Sequence, residues 1–238
     1  MTDIPRIAIA AGKSDAPVAK ILAHTIEKNA SGPVEIVHTY DLPRPFNKGY
    51  PSPPVYPKTK DPTPFSFVRA WLPKLFEYEG RAIYTEVDQL CFGDIYDVWN
   101  APMNGHPVVA PPNGSSFFMV DCSAVDWDVD ELIAKLRKGE GNYRWIVGLL
   151  CGTLKKETMT LPKTWNSLDR YEPGVTKLLH YTARQRQPWH FPGKHPHENV
   201  WVAALISALN AEVVSKDEVN QLAIWPTVKR ARAKAAAR

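Results

Sequence analysis

Residues 82–95 read Ala82-Ile-Tyr-Thr-Glu86-Val-Asp88-Gln-Leu-Cys-Phe-Gly93-Asp94-Ile95. The apolar run that follows Gly80-Arg81 predicts a buried strand from Arg81 to Val87, running straight into Asp88-Gln89. Two carboxylates, Glu86 and Asp88, stand at i and i+2 at its end. They share one side if strand pairing continues and converge if the chain turns there. A hard divalent cation is held by such a pair: Mg2+ or Mn2+ takes oxygen ligands, commonly one or two carboxylates, and leaves positions for substrate phosphates, water or an imidazole. The same pattern also describes a solvated strand terminus, so its reading depends on the surrounding chain.

Upstream, residues 5–11 form a short apolar run, then Gly12-Lys-Ser-Asp15, then apolar Val18, Ile21, Leu22 and Ile26 at helical spacing. The Ser31-Gly32 break and a β-branched run at 33–37 complete a βαβ pattern, which predicts an α/β fold with ligands at the C-terminal ends of its strands. Eight of the 22 prolines fall between Asp41 and Pro64, which excludes regular structure there and predicts a long irregular loop. Helical spacing over 65–78 carries Arg69, with a kink or break at Pro73. Downstream, the patterns predict a short helix at 95–99, strands near Val108 and at 117–120, a helix at 129–137 and a strand at 177–181. A last apolar helix at 200–209 is followed by a polar end.

The chain has 238 residues, 44% hydrophobic and 23% charged, which fits one globular domain over 1–228 and a tail at 229–238. No apolar run is long enough to span a bilayer. The formal charge of +4 is concentrated: Lys229, Arg230, Arg232, Lys234 and Arg238 supply five positives, and without them the chain stands at −1. That argues against a nucleic-acid-binding body. The tail is read either as a solvated terminus or as a surface for peripheral contact with anionic lipid. Cys91, Cys122 and Cys151 lack metal or disulfide spacing, and the N-terminus lacks a signal-like apolar segment, so a cytoplasmic setting is expected, at most peripheral at the inner face of the membrane. Gly12-Lys13-Ser14 lacks the upstream glycine of a phosphate loop. His190, His195 and His197 read as a surface or helix-entry group rather than a zinc site.

Two separated stretches, Phe65-Ser-Phe-Val-Arg69-Ala-Trp-Leu-Pro73 with Gly80 through Trp99, and Leu178-Leu-His180-Tyr-Thr-Ala-Arg-Gln-Arg-Gln187-Pro188-Trp189, together resemble glycosyltransferase family 8. The first is similar to the helix and DxD strand of that family, the second to its His-x-x-Gly-x-x-Lys-Pro-Trp motif. The resemblance implies a single GT-A (Rossmann-like) domain with a mixed central sheet. It also implies transfer of a sugar from a nucleotide-diphosphate donor, commonly UDP-linked, to a carbohydrate or lipid-linked acceptor with retention. On it, Glu86, Asp88 and His180 would be ligands of Mn2+ (or Mg2+). Arg69, Val87, Arg184, Arg186, Gln187 and Asp15 would lie on the donor side, and Ser115, Ser116 and Trp189 on the acceptor side.

The chain departs from the family pattern at several positions. Glu86 stands for the first aspartate and Gln187 for the motif lysine, leaving Arg184 or Arg186 to supply the positive charge. Asp15 is displaced from the usual acidic position, and the family's Asp-Gln pair is absent, with 143–148 in that region. No catalytic base is identified. Two alternatives therefore stay open: a donor-binding relative without transfer activity, and a sugar-nucleotide nucleotidyltransferase, the latter disfavoured by the lack of a Gly-rich opening loop.

Overall fold

The run Arg6–Ala10 forms strand β1, and Ile7 through Ala10 are all fully buried, as expected of a strand covered on both faces. The computed structural model describes residues 4–42, 68–138, 140 and 158–236. The proline-rich stretch beyond 42, segment 143–148 and Cys151 lie outside the described residues. Among the described residues, β1 is joined in one sheet by β2 (Glu35–His38), β3 (Arg81–Glu86), β5 (Val108–Ala110), β6 (Phe117–Asp121) and β7 (Thr158–Thr160), in the order β2-β1-β3-β6-β5-β7. β1 runs parallel to β2 and β3, whereas β6 is antiparallel to both β3 and β5. The sheet is therefore mixed, as expected.

Alternation along β1 divides the core. Ile7 and Ile9 face helix α1 (Ala16–Asn29), whose Val18, Ile21, Leu22 and Ile26 are buried at the predicted spacing. Ala8 and Ala10 face the other way with Tyr84 and Phe118, toward Val68 and Leu72 of helix α2 (Val68–Leu75). Small residues on that face of β1 leave room for the stacked Tyr84 and Phe118 rings. Pro73 lies near the end of α2, and Glu77 and Tyr78 then adopt left-handed backbone conformations, so the expected break falls just past the proline.

Sequence patterning misses a second sheet. β4 (Gln89–Cys91), β8 (Ser167–Leu168) and β9 (Leu178–His180) pair in the order β4-β9-β8, with Gln89 opposite His180. The chain leaves β3, turns at Val87-Asp88 and enters β4 at once, passing from one sheet to the other within two residues. Helices α3 (Tyr96–Trp99) and α4 (Val129–Arg137) fall where expected, and α5 (Glu198–Asn210) packs Trp201 and Leu205 on the α1 side of the core.

The polar end is more ordered than its composition suggests. A capping box at Ser215 opens the short helix α6 (Lys216–Val219), and helix α7 (Trp225–Ala236) runs through most of the basic stretch. Val228 of α7 is buried while Lys229, Arg230 and Lys234 remain exposed. Cys91 and Cys122 are buried thiols, pushed up to about 12 and about 11 by desolvation, and are inert as nucleophiles at neutral pH.

One polar cluster ties β9 and its following loop to the start of α5. Asp169 accepts hydrogen bonds from the Thr182 N–H and hydroxyl and from His195 Nε2 at 3.0 Å, and Arg186 lies 3.7 Å away. His195 Nδ1 accepts the His197 N–H, so the ring is the neutral tautomer. Burial lowers its pKa, outweighing the attraction of Asp169. His195 and His197 thus serve the entry to α5, the helix-entry role expected in place of a zinc site.

Two outcomes test this framework. Gly93 lies where a Cβ would meet Lys177 Cδ at 2.8 Å and Trp165 Cη2 at 2.9 Å. Gly93→Ala is expected to cost about 1–3 kcal/mol, read as a lower urea midpoint. Burial alone would raise the Asp169 pKa, but hydrogen bonds from Thr182 and His195 outweigh it and hold the carboxyl below its ordinary value. A depressed folded pKa stabilises above the unfolded value and is lost as pH falls through the folded one. Thermal melts of Asp169→Asn should therefore fall short of wild type at neutral pH, with the gap narrowing as pH drops below the ordinary carboxylate value of 3.8.

Candidate metal centre

Three ligand-bearing side chains meet where the two sheets join. Glu86 closes β3, pinned in register opposite Ala10 and by its N–H to the Ser116 carbonyl at 3.0 Å. Asp88 lies in the turn, and its carbonyl accepts the Tyr181 N–H at 2.9 Å, which locks the turn against the end of β9. His180 is the last residue of β9. The turn is braced from below: Gln89 donates from Nε2 to the Ser116 carbonyl at 3.2 Å, and its Oε1 accepts from Thr85.

The convergence is close. One ligand atom from each of Glu86, Asp88 and His180 lies within 4.8 Å of the others. His180 Nε2 is 3.3 Å from Asp88 Oδ1 and 3.6 Å from Glu86 Oε2. On the far side of the ring, Nδ1 lies 3.0 Å from Asn166 Oδ1 and 3.2 Å from Ser116 Oγ. Asn166 Oδ1 can only accept, so Nδ1 carries a proton, and whenever the ring is neutral its Nε2 lone pair faces the carboxylates. Without a cation the same position favours imidazolium: burial alone would lower the His180 pKa, but Asp88 and then Glu86 overcome this and raise it.

The donor set fits a hard divalent ion on two further grounds. Asp88 Oδ1 is buried and accepts no hydrogen bond from the described residues, although its carboxylate mate is bonded. Oδ1 faces only the His180 ring, as an ion pair when the ring is protonated, and the same contact offers two ligand atoms when it is neutral. Arg69, buried on α2, pairs with Glu86 Oε1 and donates from Nη1 to Ser115 Oγ at 2.7 Å, leaving Oε2 facing the centre. Breaking a largely buried ion pair of this kind costs about 3–5 kcal/mol.

The remaining expected site residues divide. Arg69, Ser115 and Ser116 join the centre as supports: Ser115 accepts from Arg69, and Ser116 holds both the turn and the His180 ring. Val87 is buried in the core. Asp15, just after β1, faces the same region. Burial raises its pKa, partly offset by His190 and Arg184, while Asp88 adds to the rise. Arg184 is exposed on the loop after β9, whereas Arg186 leans toward Asp169. Gln187 is buried and turned inward to Asp88. Trp189, expected on the acceptor side, is instead buried against Tyr181 and Trp201. Asn166 escaped the sequence reading as an orienting group. The signal was its neighbourhood, Leu161-Pro-Lys-Thr-Trp165-Asn166, but only the fold shows its amide reaching His180.

No protein-family model and no curated protein sequence matches the chain. Solved structures do. The bifunctional glycosyltransferase WbbM, in its apo form, superposes with a TM-score of 0.64 at 12% identity over 90% of this chain and 51% of its own. The galactosyltransferase LgtC, in complex with donor and acceptor sugar analogs, gives 0.60 at 12% identity, covering 85% of this chain and 95% of LgtC. The apo-form glycosyltransferase GlyE of Streptococcus pneumoniae TIGR4 gives 0.58 at 14%, covering 89% and 64%. The chain spans about half the length of WbbM and 64% of GlyE. At these identities the likeness is one of fold: a mixed α/β architecture similar to GT-A glycosyltransferases.

Proposed function

We propose that the protein is a divalent-cation-dependent glycosyltransferase of the family 8 type, moving a sugar from a nucleotide-diphosphate donor, UDP-linked in the first instance, to a hydroxyl acceptor with retention. The observation that carries this reading is the convergence of Glu86, Asp88 and His180 at the junction of the two sheets. Its setting supports the reading, since the end of β3 is a strand C-terminus of the kind where α/β sheets bind ligands, and the fold is that of sugar transferases.

Glu86 Oε2, Asp88 Oδ1 and His180 Nε2 would hold Mn2+ or Mg2+. Such an ion supplies charge for the two phosphates and for the oxygen that gains charge as the nucleoside diphosphate departs. Arg69 fixes Glu86 in place by pairing with Oε1. Asn166 and Ser116 hold the His180 proton on Nδ1, away from the centre. Of the two arginines expected to meet the donor phosphates, Arg184 would do so, because Arg186 leans toward Asp169. Asp15, close enough to feel the charges of Asp88 and Arg184, would contact the nucleoside.

The purified protein with Mn2+ and a panel of nucleotide sugars tests this directly. Metal-dependent donor hydrolysis or transfer is expected, and Asp88→Ala should lower it on the order of 100-fold or more. Proton NMR of the product should show the anomeric configuration of the donor. Tight donor binding without turnover would favour a donor-binding relative that has lost transfer, and an absence of nucleotide-sugar binding would sink both readings.

The acceptor is proposed to be a carbohydrate or lipid-linked hydroxyl, with Lys229, Arg230 and Lys234 of α7 giving peripheral contact at the cytoplasmic face of a membrane. Each basic residue near anionic lipid is worth about 1 kcal/mol. Changing all three to Gln should weaken co-sedimentation with phosphatidylserine-containing vesicles; unchanged binding removes the membrane contact.

A further inference from the structure

We infer that Gln187 is a positioning residue of the cation centre: it fixes Asp88 as a one-oxygen ligand rather than meeting the donor phosphates. The inference rests on the cation-binding reading proposed above. Gln187 is buried, and its Nε2 donates to Asp88 Oδ2 at 2.9 Å and to the Tyr181 carbonyl at 3.0 Å. A side-chain amide nitrogen has two hydrogens, so both are used and neither is left for phosphate. The two partners also fix which way the amide lies, because turning it over would set Oε1 against a carboxylate and a carbonyl, both acceptors only.

The effect on Asp88 is to separate its two oxygens by role. Oδ2 is held by a neutral donor, while Oδ1 is buried, receives no hydrogen bond from the described residues, and lies 3.3 Å from His180 Nε2. Coordination through both oxygens would make Oδ2 share its lone pairs between the ion and the Gln187 amide, weakening both. Coordination through Oδ1 alone keeps the Gln187 bonds in place and puts the cation where the His180 proton otherwise meets that oxygen. The neutrality of Gln187 matters as well. An ammonium at this depth would neutralise Asp88 and repel a divalent ion, whereas the amide orients the carboxylate and leaves its charge to the ligand oxygen. Tyr181 ties this arrangement to the turn, since its N–H holds the Asp88 carbonyl while its own carbonyl holds Gln187. The phosphate-facing charge then falls to Arg184 on the exposed side of the same loop.

Calorimetric titration of Mn2+ into metal-stripped protein tests the inference. Gln187→Met, which keeps the length and loses both donors, and Gln187→Lys should each weaken Mn2+ binding about 10–100-fold, with melting curves of the metal-free proteins reporting separately on loss of the Tyr181 bond. A second measurement needs no variant. In wild type labelled with 13C at the aspartate carboxyl, the infrared difference on Mn2+ addition should show the wide splitting of the carboxylate stretches that marks one-oxygen coordination. The narrow splitting of two-oxygen coordination overturns the inference. So does Mn2+ affinity in a folded Gln187→Met within about twofold of wild type, set against the 10-fold loss expected; if Asp88→Ala has meanwhile abolished binding, the cation reading survives alone. Wild-type protein that binds no Mn2+ overturns the cation reading and this inference together.

Discussion

The site depends on a two-residue transit between sheets. Glu86 is the last residue that β3 can offer to the six-stranded sheet, and Gln89 is the first that β4 offers to the three-stranded one. The residues between have no freedom to drift, because the backbone is bonded on both sides of the turn, to Ser116 before it and to Tyr181 after it. A strand end that frayed into solvent would let its carboxylates separate by mutual repulsion. Here the ladder hydrogen bonds hold them together beside an imidazole, and the repulsion becomes a standing preference for positive charge.

That preference is met in three ways, each at a different depth. Arg69 supplies a permanent positive charge from the α2 side, against Glu86 Oε1. His180 can supply a proton between the carboxylates, or yield its lone pair when a cation takes that place. Neutral groups, the Asn166 carbonyl oxygen, the Ser116 hydroxyl and the Gln187 amide, contribute direction rather than charge. Asp169 and His195 resemble the centre in composition but not in wiring. Both imidazole nitrogens of His195 are occupied by local partners, so no lone pair is left for a ligand.

Much of this was legible in the sequence because it is local. The β1–α1–β2 opening, β3, β6, α4 and β9 announce themselves through period and through Gly or Pro breaks, and the two motifs brought Glu86, Asp88 and His180 together before any fold was known. The parts that escaped are set by distant partners. β4 has three residues and no alternation to read, and it exists because β9 pairs with it. α7 carries so many charges that it reads as a tail, yet Val228 anchors it to the core. Trp189 stands in a motif that suggested a sugar-facing ring, but packing against Trp201 and Tyr181 claims it. Gln187 shows the limit most clearly. Its residue type says that a cation is missing, and only the tertiary structure shows that the amide has turned to a carboxylate 99 positions earlier in the chain.

That separation bears on how the protein acquires its chemistry. A cluster closed over so long a stretch carries a large loop entropy and takes shape only when both sheets are in place, late among folding events. Partly folded chains therefore present Glu86 and Asp88 without His180, and would offer a divalent ion only part of the donor set. A cation bound at the completed junction would select the native state by mass action, raising the unfolding temperature with its concentration. An ion bound there would then act as a late fastening between the two halves of the chain.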